Sequence, residues 1–299
     1  MTRGTVTATA PATSANLGSG FDVFGLALTR PVDVVHVERT RKTTVEVTGR
    51  GSRHVPTDPA ANTAGVVADE LDAPAAIRID KGVRPASGLG SSAASAAAAA
   101  LALDELYDLG RSRESLVRVA AEGERVVSGD AHADNVTPAL LGGFTAVTDD
   151  ELLRVPVDLP VVACLPDTAV STRDAREVVP DAAAMGDVVE TVGSAAALVL
   201  GMVRNDPALV GRGFRESVVT PARAALVDGY ERARDAALNA GAHGVTVSGA
   251  GPAVLAIPPV GGVRSVAEAL VDGFRAAGVK GVPYRTRVGR GASLPEPDA

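Results

Sequence analysis

The feature that most constrains this chain is a run of small residues behind a glycine turn. Residues 91–107 read Ser-Ser-Ala-Ala-Ser-Ala-Ala-Ala-Ala-Ala-Leu-Ala-Leu-Asp-Glu-Leu-Tyr, helical throughout in its residue choice. Directly ahead stands Pro85-Ala86-Ser87-Gly88-Leu89-Gly90-Ser91-Ser92. Glycines at 88 and 90 let the backbone curl and approach a ligand, and the serines bring hydroxyls to the point where the helix begins. The first turn of a helix has unpaired N–H groups and partial positive charge, so polyphosphate can sit there without a lysine. Taken alone, the same residues also suit a tight turn and an N-cap. The loop lacks the Gly-Lys-Ser/Thr ending of a Walker motif and the third glycine of a dinucleotide fingerprint, so it implies a different nucleotide fold.

Around this loop the chain alternates strands and helices. Residues 5–10, 32–38 and 43–48 alternate apolar and polar side chains as strands do, residues 62–71 read as a helix, and residues 75–80 as a strand. A second long helix is expected over 113–127, then a loop over 128–135, a short helix and a strand near 144–148. Beyond Asp149-Asp150 the pattern begins again. Strands are expected at 159–165, 244–248, 253–257 and 283–288, and helices at 182–205, 207–214, 230–240 and 265–276. The mixture predicts an α+β fold of two packed halves, residues 1–150 and 151–299, with residues 292–299 frayed.

Composition narrows the partners. The formal net charge is −7, spread along the chain, which disfavours a nucleic-acid surface and points to small ligands. The single cysteine, Cys164, lies in an apolar stretch with no cysteine or histidine cluster, so neither a disulfide nor a structural zinc is expected. The amino-terminal residues lack the order of a signal peptide, and the apolar stretch 93–103 is too short to cross a bilayer, so a soluble, cytoplasmic protein is expected. Only three of the 29 basic residues are lysines, Lys42, Lys81 and Lys280, which leaves few candidates for a phosphate-binding lysine.

Three motifs in order resemble the GHMP kinases. Besides the loop they are Pro11-Ala12-Thr13-Ser14-Ala15-Asn16-Leu17-Gly18-Ser19-Gly20-Phe21-Asp22 near the start and Val247-Ser248-Gly249-Ala250-Gly251-Pro252-Ala253-Val254 near the end. The resemblance implies the GHMP kinase fold, with an N-terminal half like ribosomal protein S5 domain 2 and a ferredoxin-like C-terminal half. It also implies phosphoryl transfer from ATP with Mg2+. Within that superfamily the first motif is similar to that of the homoserine kinases. The segments Gly123-Glu124-Arg125, His132-Ala133-Asp134-Asn135 and Ser171-Thr172-Arg173-Asp174-Ala175-Arg176 point the same way.

That resemblance implies L-homoserine as acceptor, a small zwitterion with a primary hydroxyl. Asp22 with Asn16 is expected at its ammonium, Arg176 and Arg223 at its carboxylate, and Thr172 and His132 in orienting it. The loop residues Pro85 to Ser92, with Ala93, are expected around the phosphates, Asn62 near the adenine, and Gly249-Ala250-Gly251 beneath the loop. Ser92 and Glu124 are the expected magnesium ligands. Asn135 is expected to position the hydroxyl without removing its proton, with Asp134 as the rival base. Ala86-Ser87 departs from relatives that carry a cation or glycine there, which leaves phosphate charge to backbone N–H groups, magnesium and Lys81 or Arg84. A homodimer is implied. The alternatives are a related kinase acting on another small alcohol, such as threonine or shikimate, and a sensor that kept the fold without turnover.

Overall fold

The computed structural model describes residues 4–128, 133–148 and 151–295. The expected division at residue 150, like His132, falls outside them. The strands are β1 (Thr5–Asn16), β2 (Gly20–Arg39), β3 (Thr44–Gly49), β4 (Ala75–Lys81), β5 (Phe144–Val147), β6 (Leu152–Val155), β7 (Pro160–Pro166), β8 (Gly244–Val247), β9 (Val254–Ile257) and β10 (Gly281–Arg287). The helices are α1 (Thr63–Glu70), α2 (Ser91–Tyr107), α3 (Arg113–Ser128), α4 (Val136–Leu141), α5 (Thr172–Glu177), α6 (Met185–Arg204), α7 (Pro207–Gly213), α8 (Val219–Ala224), α9 (Tyr230–Asn239) and α10 (Val263–Ala276).

Two sheets organise these elements. The first runs β3-β4-β2-β5-β6, with β1 paired to β2, and the second runs β10-β7-β9-β8. β1 and β2 form one long antiparallel ribbon whose register shifts between Pro11 and Thr13 and again between Ala15 and Asn16. The sequence suggested much shorter strands, because the ribbon's glycines and polar residues interrupt the alternation. Those interruptions make its tip, where Asn16, Leu17 and Asp22 take φ of 69°, 50° and 57°. Such left-handed conformations are unusual outside glycine, and here they turn the first motif toward the site.

Helix α2 lies across the first sheet, and residues 93–103 are all buried. Alanine lets β1, β2, α1, α3 and α4 approach its axis closely, so the small side chains bring the helix N-terminus into the centre of the molecule. A continuous core then joins both sheets: Leu17 and Leu89 share a cluster with Val161, Leu198 and Leu255. Ala292 and Ser293, expected to fray, are instead tied to the first half of the chain, and residues 296–299 lie outside the described residues. Ser293 bridges to Thr9, and the Ala292 N–H donates to the Ala139 carbonyl at 2.7 Å. The short helices α5 and α8 escaped the sequence, since six residues are too few to show a helical period.

Candidate active site

The three motifs meet at the N-terminus of α2. Gly90 caps that helix in the left-handed region, with φ 62°, and Ala86 and Gly88 also have positive φ. Thr13 N–H donates to the Leu89 carbonyl at 3.0 Å, Ala253 N–H to the Ser87 carbonyl at 3.0 Å, and Ser248 Oγ to the Gly88 carbonyl at 2.7 Å. The third motif therefore lies beneath the loop, as the sequence suggested. A Cβ at Gly88 would stand 2.5 Å from the Ser248 carbonyl oxygen, so glycine is required for this contact as well as for φ.

Beside the loop, Ser92 Oγ donates to Glu124 Oε2 at 2.7 Å. Burial pushes the Glu124 carboxyl up to about 7; its bond from Ser92 opposes this and the charge of Asp134 adds to it. No cluster of three or more His, Cys, Asp or Glu side chains able to hold a metal occurs among the described residues. Two oxygen donors facing a phosphate loop suit Mg2+, which takes few protein ligands and completes its shell with phosphate oxygens and water.

Lys81 has a different place from the one suggested. Its buried ammonium pairs with Asp33 and donates to the Ser91 carbonyl at 2.7 Å and to Ser95 Oγ at 2.8 Å. Asp33 Oδ1 in turn accepts from the N–H groups of Gly82 and Val83. Burial pushes the Lys81 pKa down while Asp33 raises it. All three ammonium protons are engaged, so Lys81 braces the strand-to-helix connection and does not reach out for phosphate. Arg84 is half exposed and stands 3.4 Å from Asp167, outside the cavity wall.

On the acceptor side, Arg176 Nη1 donates to Asp22 Oδ2 at 2.6 Å, and the pair is partly exposed. Asn16 Oδ1 accepts from the Asp22 N–H at 3.0 Å and holds the turn. Arg223 is buried, donating through Nε to the Ala175 carbonyl and through Nη1 to the Gly249 carbonyl, both at 3.0 Å. Burial lowers its pKa, opposed first by Asp22. The Phe21 ring lies under both guanidinium groups, 5.3 Å from that of Arg176 and 4.9 Å from that of Arg223. Asn135 accepts from Thr13 Oγ1 at 2.7 Å, with its Nδ2 3.4 Å from Asp134 Oδ1.

One cavity of about 780 Å³ joins these groups. Apart from His132, every residue proposed from the sequence lines it except Arg84, which lies outside the wall, and Leu89 and Ala93, which are buried behind the loop. Thr172, the first residue of α5, reaches the wall. Ser91 reaches it too, but its hydroxyl is committed to the Val83 carbonyl. Asn62 also lines the cavity with its amide engaged, Oδ1 capping α1 at Ala64 N–H and Nδ2 donating to the Pro56 carbonyl. The sequence did not single out Thr13, Phe21, Asp33 or Ser95, whose partners are remote along the chain. His54, Val55 and Pro56, also in the wall, lie at the end of and just after a single 3-10 turn (Ser52–His54), too short to show a periodicity.

Family models for the GHMP kinases N terminal domain and the GHMP kinases C terminal match residues 59–143 and 195–276. The homoserine kinase of Natronomonas pharaonis is 62% identical over 97% of this chain and 99% of its own length. The chain belongs to the homoserine kinase family of the GHMP kinases. The homoserine kinase of Haloarcula marismortui is also 62% identical, over 97% of this chain and 99% of its own. The crystal structure of homoserine kinase from Cytophaga hutchinsonii superposes with a TM-score of 0.89 at 33% identity, covering 98% of each chain. This homoserine kinase family member thus has the α+β GHMP kinase fold that its motifs implied.

Proposed function

We propose that this protein transfers the terminal phosphoryl group of ATP to the hydroxyl of L-homoserine, giving O-phospho-L-homoserine and ADP in the cytoplasm. The observation that carries the proposal is the shared cavity, in which the phosphate loop faces the Asp22–Arg176 pair and Asn135. A zwitterion can exchange with that pair: its ammonium takes the place of Arg176 on Asp22, and its carboxylate the place of Asp22 on Arg176. Arg223, with Nε and Nη1 committed to backbone carbonyls, offers Nη2 to the same carboxylate.

The loop N–H groups and the α2 N-terminus receive the phosphates. Ser92 and Glu124 would hold Mg2+, which neutralises charge on the transferring group. Asn135, fixed by Thr13, holds the hydroxyl toward the γ-phosphate. Because phosphoryl transfer passes through a loose transition state, alignment and electrostatic stabilisation suffice, and the hydroxyl proton leaves to a phosphate oxygen or to water.

ADP release with Mg-ATP and a panel of homoserine, threonine, serine and shikimate tests the substrate, and absence of release with homoserine refutes it. Asp134→Asn tests the proton's route. Turnover within about tenfold of the parent is expected, whereas a loss of about 10² to 10⁴ would assign Asp134 as the base.

A further inference from the structure

Phe21 has no polar side-chain atom to offer the proposed reaction, yet the first motif is bent to present it. The tip of the β1–β2 ribbon is pinned on both sides of this residue. Ser19 Oγ donates to the Gly213 carbonyl at 2.7 Å, and Gly18 lies so close to the Phe214 backbone that a Cβ there would stand 2.5 Å from its carbonyl oxygen. On the other side Asp22, at φ 57°, gives its N–H to Asn16 Oδ1 at 3.0 Å. The half-buried ring is thereby held as a platform, with the guanidinium carbon of Arg223 4.9 Å and that of Arg176 5.3 Å from its centroid. Both distances lie within the roughly 6 Å over which a ring face attracts a cation.

Two arginines gathered for one carboxylate repel each other. The pKa of Arg223 reflects this: burial lowers it most, Asp22 raises it, and the charge of Arg176 lowers it again. The ion pair of Arg176 with Asp22 offsets the repulsion. Once the substrate ammonium takes Asp22, that support is withdrawn from Arg176, whose side chain is 41% exposed and springs from a six-residue helix. Arg223 keeps its bonds to the Ala175 and Gly249 carbonyls, whereas Arg176 needs a partner that outlasts the exchange. A second acid in that place would repel the incoming carboxylate and compete with it for the guanidinium groups. An aliphatic side chain would not hold the cation. A benzene ring attracts it through its quadrupole and carries no charge, so it steadies both arginines without opposing the substrate.

We propose that Phe21 is a positioning residue for the acceptor, its ring holding Arg176 and Arg223 ready for the substrate carboxylate and so setting the preference for an amino acid over a plain amino alcohol. The inference rests on L-homoserine as the acceptor. It concerns affinity at the carboxylate end alone, since the ring touches neither the phosphate loop nor Asn135 among the cavity-lining residues.

Steady-state kinetics with two competing fragments tests it. Phe21→Leu should raise KM for homoserine about tenfold, with kcat and KM for ATP within about twofold of the parent. Inhibition constants then read the two ends of the acceptor separately. That of γ-hydroxybutyrate, which has the carboxylate and no ammonium, should rise about tenfold, while that of propanolamine, which has the ammonium and no carboxylate, should stay within about twofold. Phe21→Tyr keeps a ring face and should restore the homoserine KM. Equal weakening of both fragments would mean a ribbon tip that has merely lost its shape and would overturn the proposal. So would an unchanged homoserine KM in Phe21→Leu, or a Phe21→Tyr chain no better than Phe21→Leu. A parent chain that phosphorylates no homoserine would refute the substrate reading itself, and this inference with it.

Discussion

Replacing Thr13 by valine removes one hydroxyl and leaves nearly the same volume. Thr13 is fully buried, and two of its bonds tie the two substrate sites together. Its N–H holds the loop at the Leu89 carbonyl, and its Oγ1 donates to Asn135 Oδ1 at 2.7 Å. Valine keeps the first bond and loses the second. The amide of Asn135 is then oriented only by the long 3.4 Å contact of its Nδ2 with Asp134 Oδ1, and a lost bond of this kind costs about 1–2 kcal/mol. If the amide orients the acceptor hydroxyl only in the transition state, that energy is expressed in kcat, as a loss of roughly 5- to 30-fold. Steady-state kinetics should show KM for ATP and homoserine within about twofold of the parent, and Thr13→Ser should restore turnover. In an Asn135→Ala background the valine substitution should have little further effect. Equal losses in the two backgrounds, or a rise in KM with kcat intact, would refute the positioning role.

Three other perturbations test separate parts of the site. With its folded pKa near 7 against an ordinary 4.5, Glu124 favours folding when protonated. Its contribution should be complete below about pH 4.5 and fall away by about 3 kcal/mol as pH rises past 7. The stability difference between the metal-free parent and Glu124→Gln, followed by urea unfolding across that range, should track this loss, and a flat difference would contradict the buried ionisation. Lys81→Met leaves Asp33 buried without its cation and should destabilise the fold by about 3–5 kcal/mol, partly recovered by adding Asp33→Asn; thermal unfolding with a change below about 1 kcal/mol would count against the brace. Gly88→Ala forces a Cβ toward the Ser248 and Gly251 carbonyls at φ 76° and should raise KM for ATP at least about tenfold with KM for homoserine little changed, so equal effects on both substrates would argue against a loop-specific role.

Sequence alone went far where the cause was local. The bounds of α2 follow from the Gly90 turn before it and from a residue run that neither bends nor branches, and the order of three motifs carried the family and the α+β fold. Asn16, Asp22, Glu124, Asn135 and Arg176, which line the cavity, could be singled out because each stands within one of the quoted segments, whereas Arg223 stands in none. Tertiary structure decided what these residues are bonded to. Lys81 looked like a spare cation until Asp33, 48 residues away, was found to hold it, and Thr13 looked like motif filler until Asn135, 122 residues away, was found against it. The return of residues 288–294 to the first sheet was likewise invisible in the sequence. Periodicity reports how a segment meets the core or solvent on its own turn, whereas the partner of a buried polar group is fixed only when remote segments pack.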